Sequence, residues 1–235
     1  MTSVRVLSAG AAKGLVEDLT AGFTASTGHE VEGVFNAVGA IREMFEGGAA
    51  CDVLILTARQ LGELEAAGLV RPGSISPIGT VRTAVAVLDG SAAPDISTGP
   101  AFAAAVQAAS AVFIPDPYKS TAGTHVRLVL EALCLADEVS RKLRTFANGE
   151  TAMRTLAAEA VAGSIGITQT TEILYTKGLT LVGPLPREHD LSTVYSACVS
   201  TTAGNPDGAS SLVALLTGRT AAARRERSGF EFPAA

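Results

Sequence analysis

The sequence contains no tryptophan, and aromatic residues make up only 5% of it. A protein that stacks bases on aromatic platforms needs the opposite. A net charge of −5 offers no basic surface to a phosphate backbone either. No nucleic-acid partner is expected. Cysteine is equally scarce: Cys51, Cys134 and Cys198 lie far apart, odd in number and without C-x-x-C spacing. That excludes a zinc site and a disulfide framework, and all three read as small core residues. No segment approaches the ~18 apolar residues of a membrane span, so no membrane insertion is expected. The N-terminus runs straight into a strand, without the basic, apolar and small-residue order of a signal peptide. A cytoplasmic location is expected for the sequence as it stands, and a periplasmic one if a leader has been removed.

Several catalytic signatures are also missing. There is no G-x-S-x-G for a serine hydrolase. No His/Asp/Glu cluster has metal-ligand spacing, and neither a metal nor a cofactor is expected. The stretch "VRVLSAGAAKGLVEDL" suggests a phosphate loop at first, but Gly14 follows Lys13 where a serine or threonine would hold magnesium. The glycines Gly10 and Gly14 do not fit G-x-G-x-x-G either.

What is present is strand–helix alternation. Residues 4–7 read as a buried strand, 14–27 as a helix with Leu15, Leu19 and Phe23 four apart, and "HEVEGVF" as a second strand. "AVGAIREMFEGG" is a helix stopped by glycine, "CDVLILT" a strand covered on both faces, and "ARQLGELEAAGLV" a further helix. This pattern predicts a parallel sheet with right-handed crossovers. Later come a helix capped by Thr98 with Pro100 in its first turn, the strand "AVFIPDP", helices at "STAGTHVRLVLEALCLA" and "NGETAMRTLAAEAVAG", and strands at "SIGITQ" and "LTLVGPLP". Two helices close the chain, and the run "ARRERS" in the last reads as a solvated face. Two long alternating strands, about 81–88 and 191–200, bracket the middle block. They predict two lobes, residues 1–82 plus 196–235 and residues 83–195, with a ligand cleft between them.

The candidate ligand residues lie where strands give way to helices. The first such place holds Ser8, Ala9, Gly10 and Lys13, where small residues let backbone N–H groups approach a ligand at a helix start. The second holds Asn36, Ala37 and Gly39; the third Lys119, Ser120, Thr121 and Gly123; the fourth Thr168 and Gln169. Any one of them alone is equally a polar turn. Four together, two in each lobe, predict an anion site that needs no metal.

The order of these stretches over nearly the whole chain resembles the type II periplasmic solute-binding proteins, and within them the molybdate-binding branch. The resemblance is carried by "VLSAGAAKGLVEDL", by "EGGAACDVLIL" for a helix ending in E-x-G-A-x-x-D before a strand, by "DPYKSTAGTHV" and by "AEAVAGSIGITQTTEI". It implies a two-lobed α/β fold with mixed, mostly parallel sheets, and binding of a small anion for an ABC-transporter permease if the protein is exported. The chain departs from the branch at Asn36, Ala37 and Val38, where a serine is usual, and at Gln169, where a tyrosine is usual. Carboxamides at Asn36 and Gln169 match planar carboxylates, and Lys13 and Lys119 can each add a charge. A small organic acid is therefore at least as good a ligand as molybdate.

The same resemblance includes an aconitate-isomerase-like branch, which moves a double bond in a tricarboxylate by removing and returning a proton. That chemistry needs a group that trades protons. His125, one turn into a helix, is the first candidate, and it equally reads as a packing histidine. Glu172 is the second, a base or a helix-start residue that complements the dipole. His29 and His189 read as solvated, and Asp116 as a turn residue.

Overall fold

The computed structural model describes residues 3–232. In chain order the elements are β1 (Ser3–Ala9), α1 (Lys13–Thr27), β2 (Glu30–Asn36), α2 (Val38–Glu46), β3 (Val53–Thr57), α3 (Ala58–Ala66) and β4 (Ser76–Leu88). There follow α4 (Gly99–Ala108), β5 (Val112–Pro115), α5 (Thr121–Ala132), α6 (Ala136–Val139), β6 (Leu143–Phe146), α7 (Gly149–Glu159), β7 (Ile165–Gln169) and α8 (Thr170–Tyr175). The chain ends with β8 (Leu179–Pro184), β9 (Ser192–Val199), α9 (Pro206–Thr217) and α10 (Ala222–Arg227). The fold is α/β, and the chain divides into two units, Met1–Val81 with Thr193–Ala235 and Arg82–Ser192.

In unit one the strands run in the order β2-β1-β3-β9. β1 pairs in parallel with β2 and β3, and β3 pairs antiparallel with β9. Val53, Leu54, Ile55 and Leu56 of β3 are all fully buried, as a strand flanked and covered on both faces must be. α1 buries Leu15, Val16, Leu19 and Phe23 and ends at Gly28, whose φ of 74° only glycine adopts without cost. In unit two β7 and β8 flank β4, both antiparallel to it, and β5 runs parallel to β7 and β6. One face of this sheet packs Val85, Val87, Ile165 and Ile167 in one apolar cluster. The other packs Ala84, Ala86, Phe113 and Met153 in a second.

Three sequence expectations need correction. Cys51 and Cys198 are buried, and burial pushes both thiols up to about 12, but Cys134 is exposed. Cys134 follows the end of α5 at a φ of 56°, in the left-handed turn that closes the helix, and so leaves the core. The run "ARRERS" is not wholly solvated. Arg225 is 7% exposed, and its guanidinium donates to the carbonyls of Ile78, Thr217 and Gly218, closing the C-terminal end of α9. His29 and His189, both expected to be solvated, are half-buried, and His29 has Nδ1 3.4 Å from the Asn205 carboxamide nitrogen.

Candidate functional site

In unit one the carboxyl ends of β1 and β2 lie side by side, because Ala9 and Asn36 are register partners. Each end passes directly into a helix. After Ala9 comes a short 3-10 turn, Gly10–Ala12, then α1 from Lys13. After Asn36 comes Ala37, the residue before α2, with Gly39 in its first turn. Neither α1 nor α2 has a side-chain cap on its first N–H groups, and neither has an acidic residue in its first turn. The other long helices are different. Thr57, Thr98, Ser120, Asn148 and Asn205 cap α3, α4, α5, α7 and α9 with side-chain oxygens. At α1 the Lys13 N–H already donates to the Gly10 carbonyl. The two adjacent starts in unit one without a side-chain cap are therefore that of the 3-10 turn leading into α1 and that of α2, and both keep their partial positive charge.

The side chains around these starts are few. Ser8 is fully buried, and its hydroxyl donates to the Ala9 carbonyl at 2.9 Å. It must rotate before it can donate to a ligand. The Asn36 carboxamide oxygen accepts from the Ala37 N–H at 2.9 Å, which leaves its NH2 as the donating end. Lys13 is half-buried, its ammonium 6.0 Å from the centre of the Phe35 ring.

In unit two the expected residues occupy two strand ends. Beyond β5, the Asp116 carboxylate accepts from the N–H groups of Tyr118 and Lys119, which folds the loop back. Asp116 is thus the turn residue it reads as. Lys119 is exposed, while Ser120 caps α5 by accepting from the Gly123 N–H. Gly123 is required there: a Cβ would strike the backbone carbonyls of Pro115 and Asp116. At the end of β7, Thr168 and Gln169 are both buried and point to opposite faces of the strand. Gln169 stands at the start of α8 without making a side-chain cap. It is opposite Thr83 of β4 in the antiparallel register.

Thr168 and Glu172 meet on the other face. The Thr168 hydroxyl donates to the Glu172 carboxylate at 2.5 Å. Burial pushes Glu172 up to about 7, against the lowering effect of that hydroxyl and of the backbone N–H groups of Gln169 and Gly149, and with a further push from Glu150. Glu172 is thus packed against Thr168 and the start of α7, held also by the backbone N–H of Gln169. His125 is half-buried, and its Nε2 lies 2.7 Å from the His189 carbonyl. A carbonyl only accepts, so Nε2 carries the proton and Nδ1 alone can take one. Among the described residues no three His, Cys, Asp or Glu side chains gather as metal ligands, and no helix is long and apolar enough to cross a membrane.

The model of the family described as bacterial extracellular solute-binding protein matches residues 4–231. The chain belongs to that family. Aconitate isomerase from a Pseudomonas species is 25% identical to this solute-binding protein over 98% of this chain and 88% of its own length. The periplasmic molybdate-binding protein of Azotobacter vinelandii superposes with a TM-score of 0.80 at 20% identity, over 98% of this chain and 100% of that one. The sulfate-binding protein SubI of Mycobacterium tuberculosis H37Rv gives 0.77 at 16% identity, over 99% and 88%. The two superpositions establish the fold of this family member, a periplasmic-binding-protein fold.

Sequence reasoning passed over three threonines in or next to these strands. Thr57 ends β3 and caps α3, a pattern readable in "LILTARQL" as a threonine between an apolar run and a helix. Thr83 hides inside the alternation of β4, and Thr171 inside a helix of six residues. The burial of Thr83 and Thr171, which no sequence pattern announced, is what separates them from ordinary strand and turn residues.

Proposed function

We propose that this solute-binding protein reversibly binds a small anion, an organic carboxylate or an oxyanion, and serves an ABC-transporter permease. One observation carries the reading: the two adjacent starts of α1 and α2 lack the side-chain caps that the other long helices have. Uncapped N–H groups at a helix start favour negative charge, and small residues such as Gly10 and Gly39 allow a ligand close to the backbone. The Asn36 carboxamide adds a donor suited to a planar carboxylate. The names of the relatives support an anion as the ligand class, and the family's description as extracellular supports export.

A thermal-shift panel of molybdate, sulfate, phosphate, citrate, both aconitates and dicarboxylates tests this. A ligand bound by the native state raises the melting temperature by mass action. Ala37→Asp then tests the site. Its carboxylate caps α2, which contributes about 1 kcal/mol of stability. It also puts a negative charge where the anion belongs, so affinity should fall at least about tenfold. Unchanged affinity in this variant would remove α2 from the site, and no shift with any anion would end the reading.

A second reading is favoured by Glu172, a buried carboxyl near neutrality in a relative of aconitate isomerase. An isomerase would take a proton from one carbon of a small organic acid and return one to another. His125 has its Nδ1 for the same task. Incubation with cis- and trans-aconitate in D2O, followed by NMR, decides it: interconversion or deuterium entry supports the enzyme, and neither leaves a binding protein.

A further inference from the structure

The rung formed by Thr83 and Gln169 is out of keeping with the ladder it ends. On that face of β4 and β7 the preceding rungs are apolar, Val85 opposite Ile167 and Val87 opposite Ile165. Thr83 is 0% exposed, and its hydroxyl has no hydrogen-bond partner among the described residues. Two residues beyond Gln169, Thr171 is 5% exposed, and its hydroxyl has none either. The neighbouring threonines differ: Thr168 donates to Glu172, and Thr170 donates to the Arg82 carbonyl. A buried hydroxyl without a partner costs folding free energy, and a valine of nearly the same shape would avoid that cost in this apolar ladder.

We propose that the hydroxyls of Thr83 and Thr171 form an uncharged subsite in unit two that receives carboxylate or hydroxyl oxygens of a small organic acid. The proposal rests on the anion-binding reading and narrows it. A threonine hydroxyl both donates and accepts, so this pair suits a ligand that carries several oxygens of both kinds, such as a hydroxylated or multiply carboxylated acid. A carboxamide one rung-width away at Gln169 fits the same chemistry.

The experiment replaces each hydroxyl by a methyl group in the full chain, as Thr83→Val and Thr171→Val, with Thr83→Ser and Thr171→Ser as controls. The probes are citrate, both aconitates, malate and succinate, with sulfate and molybdate as simple oxyanions, read by calorimetry and by melting temperature without ligand. The valine variants should be at least as stable as the parent without ligand, and should bind the best organic acid about tenfold more weakly. The serine variants should bind within about twofold of the parent. Two results would overturn the proposal. One is affinity unchanged in both valine variants while the parent binds an organic acid. The other is a melting temperature that falls in both valine variants, which would mean that the hydroxyls hold the fold. Binding of sulfate or molybdate but of no organic acid would end the proposal and leave the anion reading standing. Binding of nothing in the panel would end both.

Discussion

At Glu172 burial and hydrogen bonding oppose each other. Burial favours the neutral carboxyl, the Thr168 hydroxyl and two backbone N–H groups favour the carboxylate, and burial wins, taking the group from its ordinary 4.5 to about 7. The folded state therefore holds this proton more tightly than the unfolded state does. Its contribution to stability is complete below pH 4.5 and is lost as pH rises to about 7. Glu172→Gln removes the titration and keeps an oxygen for the Gly149 N–H. The variant should gain on the parent as pH rises through this window, by up to about 3 kcal/mol at pH 8. Urea denaturation at pH 5, 6, 7 and 8 measures it, and parallel curves for the two proteins would refute the assignment.

At the scale of elements, close approach decides where glycine is needed. In α5, Gly123 lies against backbone carbonyls that cannot rotate away, so Gly123→Ala must push the helix start off the end of β5. A loss of about 1–3 kcal/mol is expected. Gly22, in α1 with nothing near its missing Cβ, is the contrast. Gly22→Ala should gain about 0.5–1 kcal/mol, since alanine loses less entropy in a helix. Denaturant melts of the two variants should move in opposite directions.

The same contrast explains what could be read from the sequence. Long periodic or alternating stretches such as α1 and β4 declare themselves, and Thr98 before Pro100 declares the start of α4. β6 does not: it is four residues at the edge of the sheet, with Arg144 and Thr145 both exposed, so no alternation survives. α8 is hidden by its polar start and six-residue length, and the anchoring role of Arg225 by the charges around it. At the candidate site, the strand-to-helix junctions at Ser8, Asn36, Ser120 and Gln169 were legible from small or polar residues after apolar runs. What was not legible is which helices go uncapped and which hydroxyls go unpartnered, because both depend on where side chains turn after folding.

For the molecule as a whole, the chain path makes the two units unequal. Unit two is one continuous segment, Arg82–Ser192, with its own two apolar clusters. Its ends are tied together: Arg82 pairs with Asp190 at 2.9 Å, and the Thr83 N–H donates to the Leu191 carbonyl. Unit one is assembled from both ends of the chain. Without residues 193–235, β3 loses its partner β9, and the cluster loses Leu212, Val213 and Leu216 of α9. The buried strand Val53–Leu56 would then be an exposed apolar edge, which invites aggregation. A fragment of residues 82–192 should therefore fold alone, with a single cooperative urea transition and dispersed amide resonances. A fragment of residues 1–81 should stay unfolded or aggregate until residues 193–235 are supplied. If residues 82–192 fail to unfold cooperatively, unit two depends on unit one for its stability. If residues 1–81 fold alone, the returning segment is dispensable to the core it completes here.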